Sequence, residues 1–219
     1  CMLKYYKTSI NRYEALKAMG DRSFTTLYYL GVSQYADNWP YGARDNLLEA
    51  HKKNPMDVNV LYYLAKACAR SSWKEEGIAY MNKAFDMVVP TDSMMIRLYD
   101  GLLECYKFHT KADPYEKIEV MKEAYSYTKR YTLFYQIAEI YDYQKDYVNA
   151  VHYYEKYMAL VPKNKQAALD SEGNPLPNVD TMYQKARRRV EKIKVEDFFR
   201  NGAHDDYFEP KVIRTQTKK

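Results

Sequence analysis

The sequence is poor in the residues that cross-link small folds or break helices. Its three cysteines, Cys1, Cys68 and Cys105, include no CxxC spacing, so we predict neither a disulfide framework nor a structural zinc site. Glycine is scarce, with seven in 219 residues, which is not the composition of a flexible or fibrous protein. We therefore expect a folded chain with a sizeable core.

Long apolar runs are missing as well. No stretch approaches the ~18 consecutive apolar residues of a membrane-spanning helix, and no signal-peptide core is present, so we expect a soluble domain. The sequence begins at Cys1, which fits either a domain boundary or a bacterial lipoprotein cleaved at its lipid-bearing cysteine. Membrane association is expected only in the second case. The sequence leaves the compartment open between cell envelope, periplasm and cytoplasm.

The patterns that indicate catalysis are absent. The four histidines are scattered, and there is no HExxH, GxSxG or phosphate-binding glycine loop. Cys105 and His109 could share a helix face, but two ligands alone make a poor metal site. We predict a protein that is not an enzyme and that has no cofactor and no metal.

The charges do not indicate a nucleic-acid partner. The 34 Lys and Arg and 29 Asp and Glu give a net charge of +5 and are interspersed, which favours protein partners. A cationic run from Lys185 to Lys194 could contact phosphates. However, Glu191 interrupts the run, Glu196 follows it, and no aromatic residues are interleaved with the cations. We interpret the run as a solvated helix face. A nucleic-acid binder using this helix is an alternative that predicts steep salt dependence.

What the sequence does contain is an internal repeat. Residues 27–31, LYYLG, return as LYYLA at 61–65, which is 34 residues later. Residues 47–50, LLEA, correspond to MNKA at 81–84 with the same separation. Apolar residues at three- and four-residue spacings are typical of amphipathic helices. A 34-residue period of two helices indicates units that bury their apolar faces only against their neighbours.

This pattern resembles the tetratricopeptide-repeat (TPR) family over residues 24–163. The resemblance implies an all-α fold, an α-solenoid of antiparallel helix pairs forming a TPR-like superhelix, as a single domain over residues 1–200. We assign an N-terminal helix to 3–19, four repeats to 24–56, 58–91, 92–130 and 131–163, and a C-terminal capping helix to 179–199. Residues 170–178 are predicted to form a turn-rich loop and 201–219 a polar tail.

Two details of the repeat carry structural expectations. The small residues Gly31 and Ala43 are expected where the two helices of the first unit approach most closely. The marker alanines Ala84 and Ala124 are 40 residues apart instead of 34. We expect the additional residues to lengthen the first helix of the third unit and its turn, around residues 108–114.

In TPR proteins the first helices of successive units line a concave groove. The resemblance places a tyrosine ladder there, Tyr28, Tyr62 and Tyr135, at the fifth position of units one, two and four. Further positions that face the groove in this family are occupied by Val32, Tyr35, Lys66, Asp100, Glu139 and Asp142. Tyrosines provide flat apolar contact and a hydroxyl, as in protein-binding hot spots. With 25 tyrosines, chance placement or packing between helices is the alternative.

The resemblance implies a non-catalytic interaction scaffold or adaptor that binds a peptide or protein in this groove, with the partner unidentified. The TPR subclass that binds chaperone tails needs Lys and Asn where this chain has Tyr28 and Val32, so that clamp is disfavoured. An alternative function is a docking segment of a larger bacterial cell-envelope protein, which is lipid-anchored if Cys1 carries a lipid.

Overall fold

The computed structural model describes residues 2–166 and 180–201, which contain ten α-helices and no strand. The all-α prediction is confirmed. Cys1, the predicted loop at 170–178 and the predicted tail beyond residue 201 lie outside the described residues. The helices are α1 Met2–Ala18, α2 Phe24–Ala36, α3 Pro40–Lys53, α4 Val58–Ala69, α5 Lys74–Asp86, α6 Asp92–Phe108, α7 Pro114–Thr128, α8 Thr132–Tyr143, α9 Tyr147–Leu160 and α10 Thr181–Asn201, with a 3₁₀ turn at Lys163–Lys165.

Local sequence sets where several helices begin. Ser23 and Asp57 cap α2 and α4, accepting hydrogen bonds from the free backbone N–H groups of the first turn. Pro40 begins α3, where its missing N–H has no partner to lose. Asn38 and Lys145 adopt positive φ angles of 63° and 62° between the two helices of units one and four, and so reverse the chain within a few residues.

The chain divides into two compact units, residues 1–120 and 121–219, and the division falls inside α7. In the first unit α2 pairs with α3 and α4 with α5, while α4 also packs against α2 and α6. Its core is aliphatic, with Leu27, Leu47, Leu61 and Leu64 fully buried. In the second unit α8 pairs with α9, and α10 packs against α9.

Glycine and alanine lie where the helices of the first two pairs, α2–α3 and α4–α5, approach each other closely. A Cβ on Gly31 would lie 2.6 Å from Leu47 Cγ and 3.1 Å from the Ala43 carbonyl oxygen. In the next pair the order is reversed, because a Cβ on Gly77 would lie 2.8 Å from the Ala65 carbonyl oxygen. The expectation that small residues permit this approach is confirmed.

The third repeat accommodates its additional residues in its first helix, α6. The helix α6 has 17 residues, whereas α2 has 13 and α4 has 12. The next helix, α7, begins at Pro114, directly after Asp113, which accepts a hydrogen bond from the Tyr115 N–H at 3.0 Å. The predicted lengthening of this helix is confirmed.

Candidate functional site

The first helices α2, α4 and α6 lie side by side in the first unit. They carry the predicted groove residues of this half, and we call their shared surface the first-helix face. Tyr35, Tyr62 and Lys66 are brought together on it, with Lys66 Nζ donating a hydrogen bond to the Tyr62 hydroxyl at 3.3 Å. Val32 is half-buried and Asp100 is exposed.

Glu104 is the centre of an ionic cluster on this face. Its carboxylate lies 2.9 Å from Lys66 Nζ and 2.6 Å from an Arg70 guanidinium nitrogen. It also accepts a hydrogen bond from the Tyr35 hydroxyl at 2.5 Å. Tyr35 is on α2, Lys66 is on α4 and Arg70 directly follows α4, whereas Glu104 is on α6. One carboxylate therefore connects the first helices of three successive repeats.

The protonation states of this cluster follow from its contacts. Burial alone would raise the pKa of Glu104, but the hydrogen bonds from Tyr35 and Lys66 and the charges of Lys66 and Arg70 together outweigh it, so the pKa lies below its usual value. Burial, together with the contact to Glu104, raises the pKa of Tyr35. Burial lowers the pKa of Lys66, but the hydrogen bond to Glu104 and the further interactions with Tyr62 and Glu104 together raise it above its ordinary value. At neutral pH the cluster therefore contains a carboxylate, an ammonium group and a neutral phenol.

Aromatic side chains connect the predicted tyrosines through a residue that sequence reasoning missed. Tyr63 makes edge-to-face contacts with Tyr28, Tyr35 and Tyr62, with ring centroids 6.4, 6.1 and 5.2 Å apart. Tyr63 occupies the sixth position of its unit, next to the fifth position from which the ladder was predicted. The first two repeats each have a tyrosine pair at the fifth and sixth positions, and this pattern in the sequence indicates Tyr63.

Arg97 is a second residue that was not predicted. Its guanidinium lies 4.5 Å from the Tyr62 ring centroid, and one of its nitrogens donates to Asn59 Oδ1 at 2.9 Å. No ion pair joins it to a carboxylate within the described part of the chain. Arg70 and Glu104 were also missed, although both occupy the thirteenth position of a unit, which faces the groove in TPR proteins. Reading that position would have found them.

In the second unit the predicted residues Tyr135, Glu139 and Asp142 have different surroundings. Asp142 accepts two hydrogen bonds of 2.6 Å from the guanidinium of Arg189 on α10. Tyr135 packs edge-on against Tyr154, with ring centroids 5.6 Å apart. Glu139 is exposed. The capping helix therefore supplies a cation to Asp142 of α8.

The charged run on α10 differs in part from the expected solvated face. Besides Arg189, Lys194 makes an ion pair, with Glu155 at 2.6 Å. Lys185 and Arg188 are exposed, as expected. On the apolar side Ala186, Val190 and Ile193 are buried, whereas Met182 is 42% exposed.

The tyrosines of the ladder differ in their accessibility. Tyr28 is half-buried, whereas Tyr62 and Tyr135 are each only 8% exposed. Burial raises the pKa of Tyr28 and of Tyr135 to about 12, so these two hydroxyls stay protonated at neutral pH. Tyr28 offers the largest free aromatic surface of the three.

Neither a metal site nor a membrane span is found in the described ranges. Within residues 2–166 and 180–201 no three His, Cys, Asp or Glu side chains are grouped so that they could hold a metal ion. In the same residues no helix combines the length and apolar character needed to cross a membrane.

No family model and no curated protein matches the sequence. The matches are to solved structures. YrrB, described as a TPR protein with an unusual peptide-binding site, is 12% identical; the match covers 74% of this chain and 81% of YrrB with a TM-score of 0.57. MamA is 17% identical over 84% of this chain and 98% of its own, with a TM-score of 0.52.

A third match is the C-terminal part of a TPR repeat-containing protein from Cytophaga hutchinsonii. It is 16% identical over 88% of this chain and 75% of its own, with a TM-score of 0.58. These likenesses show that the chain has the tetratricopeptide-repeat fold, as the 34-residue period predicts. At such low identity the likeness concerns the fold alone.

Proposed function

We propose that this chain is a non-catalytic interaction scaffold that binds an extended segment of a protein partner on the first-helix face. The observation that carries the proposal is Arg97. Arg97 is half-buried, its guanidinium carbon lies 4.5 Å from the Tyr62 ring centroid, and no carboxylate pairs with it in the described residues. One nitrogen donates to Asn59, and the remaining guanidinium donors are available to a bound segment. The TPR fold supports the proposal because its first helices form the binding face in other members.

The tyrosines define what the rest of the face offers. Tyr28 is half-buried, and its ring is one of those in contact with Tyr63. Rigid aromatic side chains lose little entropy on binding and are frequent in hot spots. We propose that Tyr28 provides apolar contact to the bound segment and Arg97 a polar anchor, with Val32 and Asp100 flanking them. In the second compact unit, Glu139 and Tyr135 are proposed as a contact surface of their own.

Site-specific photocrosslinking in native extract tests this proposal. A photoreactive residue at Asp100, on the first-helix face, should capture a defined partner. The same group at the exposed Asn82, on the second helix α5, is the matched control and should not capture it. Changing all three tyrosines is less suitable, because removing the buried ring of Tyr62 would create a cavity and destabilise the fold.

The role of Arg97 is tested in the same experiment. Arg97→Gln should reduce the crosslink from position 100 about tenfold, as expected for loss of a charged hydrogen bond. Lys83→Gln, which removes an exposed charge from α5, should leave it unchanged. Equal crosslinking from positions 100 and 82, or an Arg97→Gln chain that captures its partner normally, would place binding on another surface.

A further inference from the structure

A cavity of about 500 Å³ lies away from the first-helix face, where α1 meets α2 and α3. Its lining includes Glu14 and Lys17 from α1, Gln34 from α2, Asn46 from α3 and Trp39 from the turn between α2 and α3. Gln34 and Asn46 are almost fully buried, whereas Trp39 is 49% exposed. The cavity therefore combines a buried polar floor with an accessible aromatic wall.

The polar floor is an ordered chain of hydrogen bonds. Lys17 Nζ donates to Asn46 Oδ1 at 2.6 Å, and Asn46 Nδ2 donates to Gln34 Oε1 at 2.8 Å. A second cation of the lining, Arg22, is paired with Glu49. Arg22 is thus paired with a carboxylate, whereas Lys17 is held by a neutral amide oxygen. The carboxylate of Glu14 contacts the Gln34 amide at 3.4 Å, and no ion pair joins it to a cation among the described residues.

The corresponding junction one repeat later is filled by side chains. The residue 34 positions after Asn46 is Tyr80, whose ring lies edge-on to His51 with centroids 5.8 Å apart. The residue 34 positions after Gln34 is the buried Cys68. The first repeat has the short amide side chain of Asn46 where the second repeat has the ring of Tyr80, which explains why the space is open in the first repeat.

The two tryptophans of the chain are also related by the repeat. Trp73 follows Trp39 by 34 residues, and the guanidinium carbon of Arg44 lies 3.6 Å from its ring centroid. The counterpart of Arg44, 34 residues earlier, is Ile10. In the described part of the chain no cation or aromatic ring lies against Trp39. The protein thus covers one tryptophan with its own arginine and leaves the equivalent one uncovered.

Gly42 holds the uncovered tryptophan in place. A Cβ on Gly42 would lie 2.9 Å from the Trp39 indole, so the ring rests directly on the α3 backbone. This contact is possible only for glycine, because real Cβ atoms do not approach a ring so closely. The indole is therefore supported on one side while about half of its surface is exposed.

We propose that this cavity binds a guanidinium group, the arginine side chain of a partner protein, stacked on Trp39 as Arg44 stacks on Trp73. The electron-rich face of an indole attracts cations, and a planar guanidinium stacks on it more readily than an ammonium group does. Glu14 provides the carboxylate for the bound cation. This site is separate from the first-helix face, so it stands or falls independently of the proposed function.

NMR of the tryptophan indole N–H signals tests the proposal on the full chain. The probes are three capped tripeptides, acetyl-Gly-Xaa-Gly-amide, with arginine, its uncharged analogue citrulline, or glutamate at the centre. We expect the arginine peptide to shift the Trp39 signal saturably. The citrulline peptide should bind at least about fivefold more weakly, because it lacks the charge that makes the cation–π contact. A Trp39 signal that does not respond to arginine, or that responds equally to citrulline or more strongly to glutamate, would overturn the proposal.

Three variants sharpen the test. Gly42→Ala should displace the indole and Glu14→Gln should remove the carboxylate, and each should weaken arginine binding while circular dichroism confirms the fold. In Arg44→Ala the vacated Trp73 should become a second arginine site, visible as a response of its own indole signal. Unchanged binding in both Gly42→Ala and Glu14→Gln, or a Trp73 that ignores arginine in Arg44→Ala, would contradict the comparison between the two tryptophans.

Discussion

Single residues explain how this chain connects successive repeats. Glu104 contacts Tyr35, Lys66 and Arg70 from neighbouring helices, so the charge of one carboxylate is shared by three partners. Only 19% of the Glu104 side chain is exposed, and breaking a largely buried cluster leaves its remaining charges without compensation. Glu104 should therefore matter more than any exposed ion pair of the chain.

Replacing Glu104 with glutamine tests this directly. The substitution keeps the shape of the side chain but leaves Lys66 and Arg70 facing each other without a negative charge. We expect a loss of about 2 kcal/mol in the free energy of unfolding, measured by urea denaturation. The control, Glu49→Gln, removes the carboxylate of the exposed pair with Arg22 and should change stability little. Similar losses in both variants would refute the assignment.

The same carboxylate should make stability depend on pH. Because the folded-state pKa of Glu104 is lowered from its ordinary value of 4.5, its stabilisation is complete above that value and is lost as the pH falls through the folded pKa. The difference in unfolding free energy between the wild type and Glu104→Gln should thus be constant from pH 7 to about pH 5 and shrink at lower pH. Urea titrations of both proteins across this range measure it; a difference that grew on acidification would have the wrong sign.

Whole elements depend on how closely the helices approach and on which side chains attach them. Gly77 allows α5 to contact the α4 backbone, and Arg189 attaches α10 to α8 through Asp142. The first contact is steric and involves backbone atoms that cannot move independently. The second is a bidentate ion pair at the last described helix. The two elements should respond differently to substitution.

For the α4–α5 pair we predict that Gly77→Ala destabilises the protein. Alanine favours a helix over glycine by about 1 kcal/mol, but its Cβ would lie 2.8 Å from the Ala65 carbonyl oxygen, and such overpacking costs about 1–3 kcal/mol. Thermal or urea unfolding should show a net loss. Asn82→Ala, on an exposed position of the same helix, should be neutral or slightly stabilising. A gain in stability for Gly77→Ala would exclude a tight contact.

For α10 we predict that Arg189→Ala loosens the helix. Loss of the two hydrogen bonds to Asp142 should cost about 1–2 kcal/mol and increase amide hydrogen exchange in residues 181–201. Lys194→Ala removes the lysine of an ion pair whose two side chains are each 46% exposed, and its effect on exchange should be small. Equal exchange in the two variants would show that apolar packing of α10 on α9 is sufficient.

At the scale of the whole molecule, the chain behaves as a series of helix pairs. In repeat proteins stability is approximately a sum of unit terms and nearest-neighbour terms, so damage should spread only to adjacent pairs. The first compact unit comprises residues 1–120 and the second residues 121–219. Each has its own buried residues, such as Leu61 in the first and Ile137 in the second.

Leu61→Ala therefore should open the molecule locally. Leu61 is fully buried, and Leu→Ala at such a site costs about 2–5 kcal/mol. Hydrogen exchange should accelerate in α4, α5 and their neighbours α3 and α6, with a smaller change in α8 and α9. The mirror substitution, Ile137→Ala, should show the opposite distribution. Uniform acceleration along the chain in either variant would indicate a single cooperative unit.

The amino-acid sequence alone determined the helix pairs and the class of fold. The repeat of residues 27–31 at 61–65 and the small residues Gly31 and Ala43 reflect packing between neighbours in sequence, so periodicity reveals them. The lengthened α6 was predictable for the same reason, since an insertion shifts the spacing of the marker alanines.

Only the tertiary structure decided which side chains from different helix pairs contact each other. The convergence of Tyr35, Lys66 and Arg70 on Glu104, the contact between Arg189 and Asp142, and the open face of Trp39 depend on distances between helices, whereas a sequence pattern records spacing along one helix. The physical reason is that burial and pairing of charged and aromatic groups are properties of a three-dimensional neighbourhood, to which residues up to 69 positions apart contribute here.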